Sequence, residues 1–157
     1  MAIETFYSTE YTAAHVTVPS EKLDVTLQHG RVRRAYSVYT LPAATEFDTI
    51  GDTVYFMKLP KGARVVNARF IATDDATSGI CKIGWEDNGD DAADDNGLFA
   101  VAETDFGNAD IDAKLLGTAT GYNKKFAEET TIVMVITEVS NASTGNSFKL
   151  EVEYVLD

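Results

Sequence analysis

Histidine is the side chain best suited to moving protons near neutral pH, and this chain has two, His15 and His29. They lie fourteen residues apart in a weakly patterned N-terminal stretch, so they read as solvated side chains, not as a base or metal ligands. A serine nucleophile would want a sharp Gly-x-Ser-x-Gly turn, and none occurs. Gly117-Thr118-Ala119-Thr120-Gly121 is not a phosphate cradle, because no lysine followed by serine or threonine closes it. Cys81 is the sole cysteine. It excludes an internal disulfide and a cysteine-rich zinc site, and its company of Ile83 and Trp85 marks a small buried hydrophobe. Paired carboxylates could hydrolyse glycosides, but nothing singles out a pair among the 25 acidic residues. Neither an enzyme nor a cofactor is expected.

The densest chemistry is Glu86 to Gly97, EDNGDDAADDNG, with six carboxylates and no positive residue. Clustered carboxylates repel unless water screens them or a cation neutralises them. A calcium-loop frame places Asp94, Asn96, Gly97 and Glu103 correctly but has Ala92 where the leading carboxylate belongs. The stretch therefore reads as a solvated acidic loop, with Asp94, Asn96 and Glu103 as a weak calcium candidate. A second constellation is Arg31, Arg33 and Arg34, the densest positive patch of the chain. It reads either as a charge-protected edge strand or as a contact for partner carboxylates.

With 13 basic against 25 acidic residues the net charge is -12, which opposes binding to nucleic acid or anionic lipid. No stretch approaches the roughly 20 apolar residues of a membrane helix, and no basic segment leads into an apolar run at the start. A soluble, unexported chain is expected, and Asn141-Ala142-Ser143 is then a chance match to the glycosylation pattern.

The elements that must position these residues read as β throughout. Residues 1–30 are polar, with Phe6, Tyr7 and Tyr11 near the start, and are expected to form an extended arm that hangs free or orders along another surface. Arg31 to Leu41 reads as the first strand of a domain over 31–157. Asp52 to Thr73 reads as a central hairpin. Its turn is Leu59-Pro60-Lys61-Gly62, with proline at the second position and glycine at the fourth. One face of its first strand carries Val54 and Phe56, the other Tyr55, Met57 and Leu59. Val66, Ala68, Phe70 and Ala72 share a face of the second. A strand ending at Trp85 follows a turn over 73–79, and one short helix is expected within Leu98 to Leu116. Tyr122 to Glu129 reads as a short strand. Thr130 to Val139 is the apolar run of a central strand, and the last segment alternates with Phe148, Leu150, Val152, Tyr154 and Leu156 inward. Seven or eight strands with closely spaced turns predict an antiparallel β-sandwich of jelly-roll type.

Three segments carry a family resemblance: Pro19 to Lys22 in the arm, the Gly51-Asp52 strand to Leu59, and the turn Leu59-Pro60-Lys61-Gly62-Ala63-Arg64. Together they resemble small capsid-associated structural proteins of tailed phages, particularly of marine podovirus type. The likeness continues less distinctly to Trp85 and covers under half of the chain. It implies a cement or decoration protein on the outer capsid surface, made in the host cytoplasm, bridging subunits of the major capsid protein and commonly trimeric. In that frame Phe6, Tyr7, Tyr11, Arg31, Arg33 and Arg34 are the expected contacts with the shell or a sister subunit, and Glu86 to Gly97 faces solvent. The competing classes are a carbohydrate- or receptor-binding module of a tail or fibre, marked by a platform of exposed aromatic rings, and a head-tail connector.

Overall fold

The computed structural model describes residues 5–8, 11–12, 16, 32–42, 47–73, 79–99, 111–114, 120–139 and 145–156. Among them are nine strands: β1 (Thr5–Tyr7), β2 (Val32–Thr40), β3 (Thr53–Leu59), β4 (Ala63–Thr73), β5 (Ile80–Trp85), β6 (Asp94–Phe99), β7 (Ile111–Lys114), β8 (Thr130–Glu138) and β9 (Ser147–Leu156). They form two sheets, ordered β1-β3-β8-β5-β6 and β2-β9-β4-β7, so the expected all-β sandwich is borne out. Strands β2 to β9 pair as a long hairpin would if rolled up: β2 with β9, β3 with β8, β4 with β7 and β5 with β6, all antiparallel. The contacts of β4 with β9 and β5 with β8 then join these pairs into sheets.

The two runs with the plainest sequence patterns sit mid-sheet. Strand β8 lies between β3 and β5, and β9 lies between β2 and β4. Phe148, Leu150, Val152 and Tyr154 of β9 are buried in alternation, whereas Leu156, expected inward, is exposed at the end of the strand. Among the described residues, Phe47, Phe56, Phe70, Phe99, Phe126 and Phe148 are fully buried in the core, each worth about 1.5–3 kcal/mol of burial. Cys81, Ile83 and Trp85 share the buried face of β5 as expected.

The central hairpin is a correction. Strands β3 and β4 lie in different sheets, and the turn between them carries the chain from one layer to the other. Ala63 N–H donates to Pro60 C=O at 3.0 Å and Gly62 has φ 81°, so proline takes the first turn position and glycine the third. That places the positive φ where a type II turn requires it. The place beside β4 expected for β3 is taken by residues 123–126. Asn123 N–H donates to Val65 C=O at 2.8 Å, Val65 N–H to Lys124 C=O at 2.9 Å and Phe126 N–H to Ala63 C=O at 2.9 Å. Tyr122 to Glu129 is accordingly a turn with a single bridge, Arg64 to Lys125, and not a strand.

Bulges adjust both strands. One between Tyr55 and Met57 lets Val54, Phe56, Met57 and Leu59 all reach the core, and one between Val65 and Asn67 buries Val65 in place of Val66. Of the stretch expected to hold a helix, Leu98 and Phe99 end β6 and 111–114 form β7; residues 100–110 and 115–116 lie outside the described residues. Strand β1 shows that Thr5–Tyr7 of the expected arm lie within a sheet of the sandwich. His15, His29, Pro19 to Lys22 and the glycosylation match fall outside the described residues.

Candidate functional site

Strand β1 runs parallel to β3 in the register Thr5 to Thr53, Phe6 to Val54 and Tyr7 to Tyr55. Alternation then sends neighbouring aromatic residues of the N-terminal segment to opposite faces. Phe6 points inward, its ring 5.7 Å from Phe47 and 6.0 Å from Tyr39. The structure thus separates Phe6 from the other expected contact residues: it packs against the core.

Tyr7 points outward over Tyr55, with ring centroids 5.3 Å apart. Just after it, Ser8 is buried and fixes the segment. Its N–H donates to Tyr55 C=O at 2.9 Å and its hydroxyl to Phe56 C=O at 2.7 Å. Tyr11 N–H donates to the Ser8 hydroxyl at 3.1 Å and Thr12 N–H to Ser8 C=O at 2.9 Å. This turn swings the Tyr11 ring back onto Tyr7 at 5.3 Å and 21°, and within 5.7 Å of Tyr55. Three tyrosines therefore form one cluster on the outer face of the first sheet, with Tyr7 45% exposed.

The cluster has an anionic rim. Tyr55 donates its hydroxyl to Glu86 Oε1 at 2.5 Å, and burial together with that carboxylate holds the phenol above the usual tyrosine range. Tyr55 and Glu86 were not singled out by the sequence. Tyr55 was legible as facing away from Val54 and Phe56, but its meeting with Tyr7 rests on the β1 to β3 register.

The arginines divide as well. Arg33 and Arg34 point to opposite faces of β2, an edge strand of the second sheet. Arg34 is exposed, forms an ion pair with Glu151 and lies 5.9 Å from the Tyr36 ring centroid. Arg33 stands beside the Tyr154 hydroxyl, whose pKa burial raises and Arg33 partly restores. Arg31 lies outside the described residues. Arg34 and the tyrosine cluster consequently occupy opposite outer faces of the sandwich.

The acidic stretch is not one solvated loop. Its last four residues, Asp94 to Gly97, belong to β6, which Gly84 lets approach closely: a Cβ at Gly84 would stand 1.8 Å from Asp94 C=O. Asp91 is drawn down onto the domain, its Oδ1 2.6 Å from Lys124 Nζ and its Oδ2 accepting from Ala127 N–H at 2.8 Å and Asn88 Nδ2 at 3.2 Å. Burial alone would raise its pKa, but these donors outweigh it and hold the carboxyl below its ordinary value. Lys124 in turn lies over Trp85 and Phe126, 5.5 and 5.7 Å from their ring centroids. Asp95 pairs with Lys82 at 2.6 Å. The carboxylates are thus dispersed among separate partners. Of the calcium candidates, Asp94 and Asn96 sit on a strand and Glu103 lies outside the described residues. Among the described residues no group of three or more His, Cys, Asp or Glu gathers as a metal would require.

The described residues define an all-β sandwich that carries on one outer face a tyrosine cluster with a carboxylate at its edge. No protein family model matches the chain, and no curated protein sequence matches it. Among solved structures, a chain in the capsid of Ralstonia phage GP4 has the same fold, with a TM-score of 0.69 at 18% identity over 98% of this chain and 98% of that one.

Proposed function

We propose that this chain is a virion structural protein that binds the outer surface of a tailed-phage capsid and stabilises it by bridging neighbouring capsid subunits. The observation that carries this reading is the whole-chain likeness to a chain of the Ralstonia phage GP4 capsid, which extends over nearly the full length of both and so is more than one shared turn or hairpin. The sequence resemblance through Gly51 to Arg64 points the same way independently. A cement protein needs packed surfaces, not a gathered catalytic site, and weak contacts multiplied over a shell suffice for it.

Bridging needs at least two contact faces. The tyrosine cluster on one sheet and the Arg34 edge on the other supply outward surfaces on opposite sides, the first towards the major capsid protein and the second towards a sister subunit of a trimer. Light scattering on the purified chain tests the trimer, and co-pelleting with shells that lack it tests the binding. Stoichiometric pelleting with a raised melting temperature of the shell supports the reading. A chain that stays in the supernatant, folded, defeats it.

A further inference from the structure

From the geometry of Tyr7, Tyr11, Tyr55 and Glu86 we infer that this patch receives lysine or arginine side chains of a basic protein surface. The inference rests on the shell-binding reading and names the chemistry of the contact. Three aromatic rings lie within 5.3 to 5.7 Å of one another and Tyr7, the exposed one, offers aromatic surface that attracts a cation; arginine or lysine over tyrosine is favoured further as water leaves the contact. Glu86 adds a full negative charge at the rim, held in place by the Tyr55 hydroxyl, so an arriving cation meets a carboxylate whose position is already set. The chain carries a net charge of -12, so its surface is complementary to a basic partner and repels an acidic one.

The cluster is also tied to the sandwich. The β1 to β3 register sets Tyr7 over Tyr55, and Tyr11 N–H is bonded to the Ser8 hydroxyl. Tyrosine is among the residue types enriched where a protein contact is decided. A saccharide-binding face would instead spread its rings along a flat platform. Here the rings stack on one another, at 21° for Tyr7 and Tyr11.

The test uses the full-length chain and shells of its own virion prepared without it, with bound fraction measured at about 50 and about 500 mM salt, where screening separates ionic from apolar contacts. Tyr7→Ala and Glu86→Gln are compared with the parent, and Tyr55→Phe removes only the hydroxyl that steers Glu86. Thermal unfolding of each variant confirms that it is folded. Expected are a tenfold or greater loss of affinity for Tyr7→Ala, a severalfold loss for Glu86→Gln with a flatter salt dependence, and a smaller loss for Tyr55→Phe. If the parent pellets with shells and all three variants pellet equally well, this inference falls and the shell reading stands. Should the parent fail to pellet, both fall. A parent that ignores shells but shows tyrosine fluorescence quenching by cellohexaose, lost in Tyr7→Ala, overturns the inference in favour of a saccharide site.

Discussion

Ser37 donates its hydroxyl to the Ser8 hydroxyl at 2.6 Å inside the sandwich, linking strand β2 of one sheet to the segment that follows β1 on the other. The bond explains how a three-residue edge strand stays in place: Ser8 accepts from Ser37 and Tyr11 and donates to Phe56 C=O, so one buried side chain serves both sheets and the tyrosine turn. Ser8→Ala should cost about 1–3 kcal/mol, the usual range for stranding buried polar partners. Chemical denaturation checks this, and hydrogen exchange should show Thr5 to Thr12 losing protection before the rest of the domain. Deleting residues 1–20 would remove this bolt as well as Tyr7 and Tyr11, so point variants are the cleaner probe of binding.

Tyr39 is 6% exposed among Phe6 and Phe47, and its hydroxyl finds no hydrogen-bond partner among the described residues. Burial first, and then the nearby Asp52 carboxylate, push its pKa up to about 12. Tyr39→Phe removes the stranded group and should leave stability equal or higher, by up to about 1 kcal/mol. The neutral phenol is favoured in the folded state, so this residue's contribution is intact below the unfolded value of about 10 and is lost as pH rises towards 12. Unfolding curves across that alkaline window should fall less steeply for Tyr39→Phe than for the parent.

Asp91 gives the opposite sign. Its carboxyl, with the side chain only 12% exposed, is held low by Lys124, Ala127 N–H and Asn88 against the effect of burial. Stabilisation from the charged form is therefore complete above the unfolded value near 4 and declines as pH drops through the lower folded value. Asp91→Asn should lower stability at neutral pH by about 1–3 kcal/mol and flatten the acid limb, measured as melting temperature against pH. An unchanged acid limb would remove Asp91 from the account.

Gly84 and Gly97 hold β6 against β5. A Cβ at Gly97 would stand 2.2 Å from Trp85 Cζ3, and the one at Gly84 would meet backbone. Gly84→Ala should destabilise by about 3 kcal/mol, the upper end for overpacking, because a carbonyl cannot swing aside as a side-chain tip can. Gly97→Ala should cost less and perturb the Trp85 fluorescence.

Local pattern carried far in this chain. Period-two alternation in Phe148 to Tyr154 and the β-branched run of Thr130 to Val139 determined strands, their buried faces and their places deep in the sheets. The company of Cys81 determined its burial. What the pattern says is which face of a strand is buried, and it is silent on which strand lies alongside. For that reason Asp52 to Thr73 read as a hairpin, although its two strands find better partners in β8 and β9 and the Pro60 to Ala63 turn carries the chain between layers. Bulges at Phe56 and Val66 change the alternation midway, and their cause lies in the pairing with another strand. The surface patch shows the same division. Composition and alternation determined only that Tyr55 lies on the face of its strand opposite Val54 and Phe56 and that Glu86 belongs to an acidic stretch. Only the tertiary structure, through the parallel register of β1 on β3 and the Ser8 turn, decided that Tyr7, Tyr11, Tyr55 and Glu86 meet, because residues so far apart in sequence share no local signal of contact.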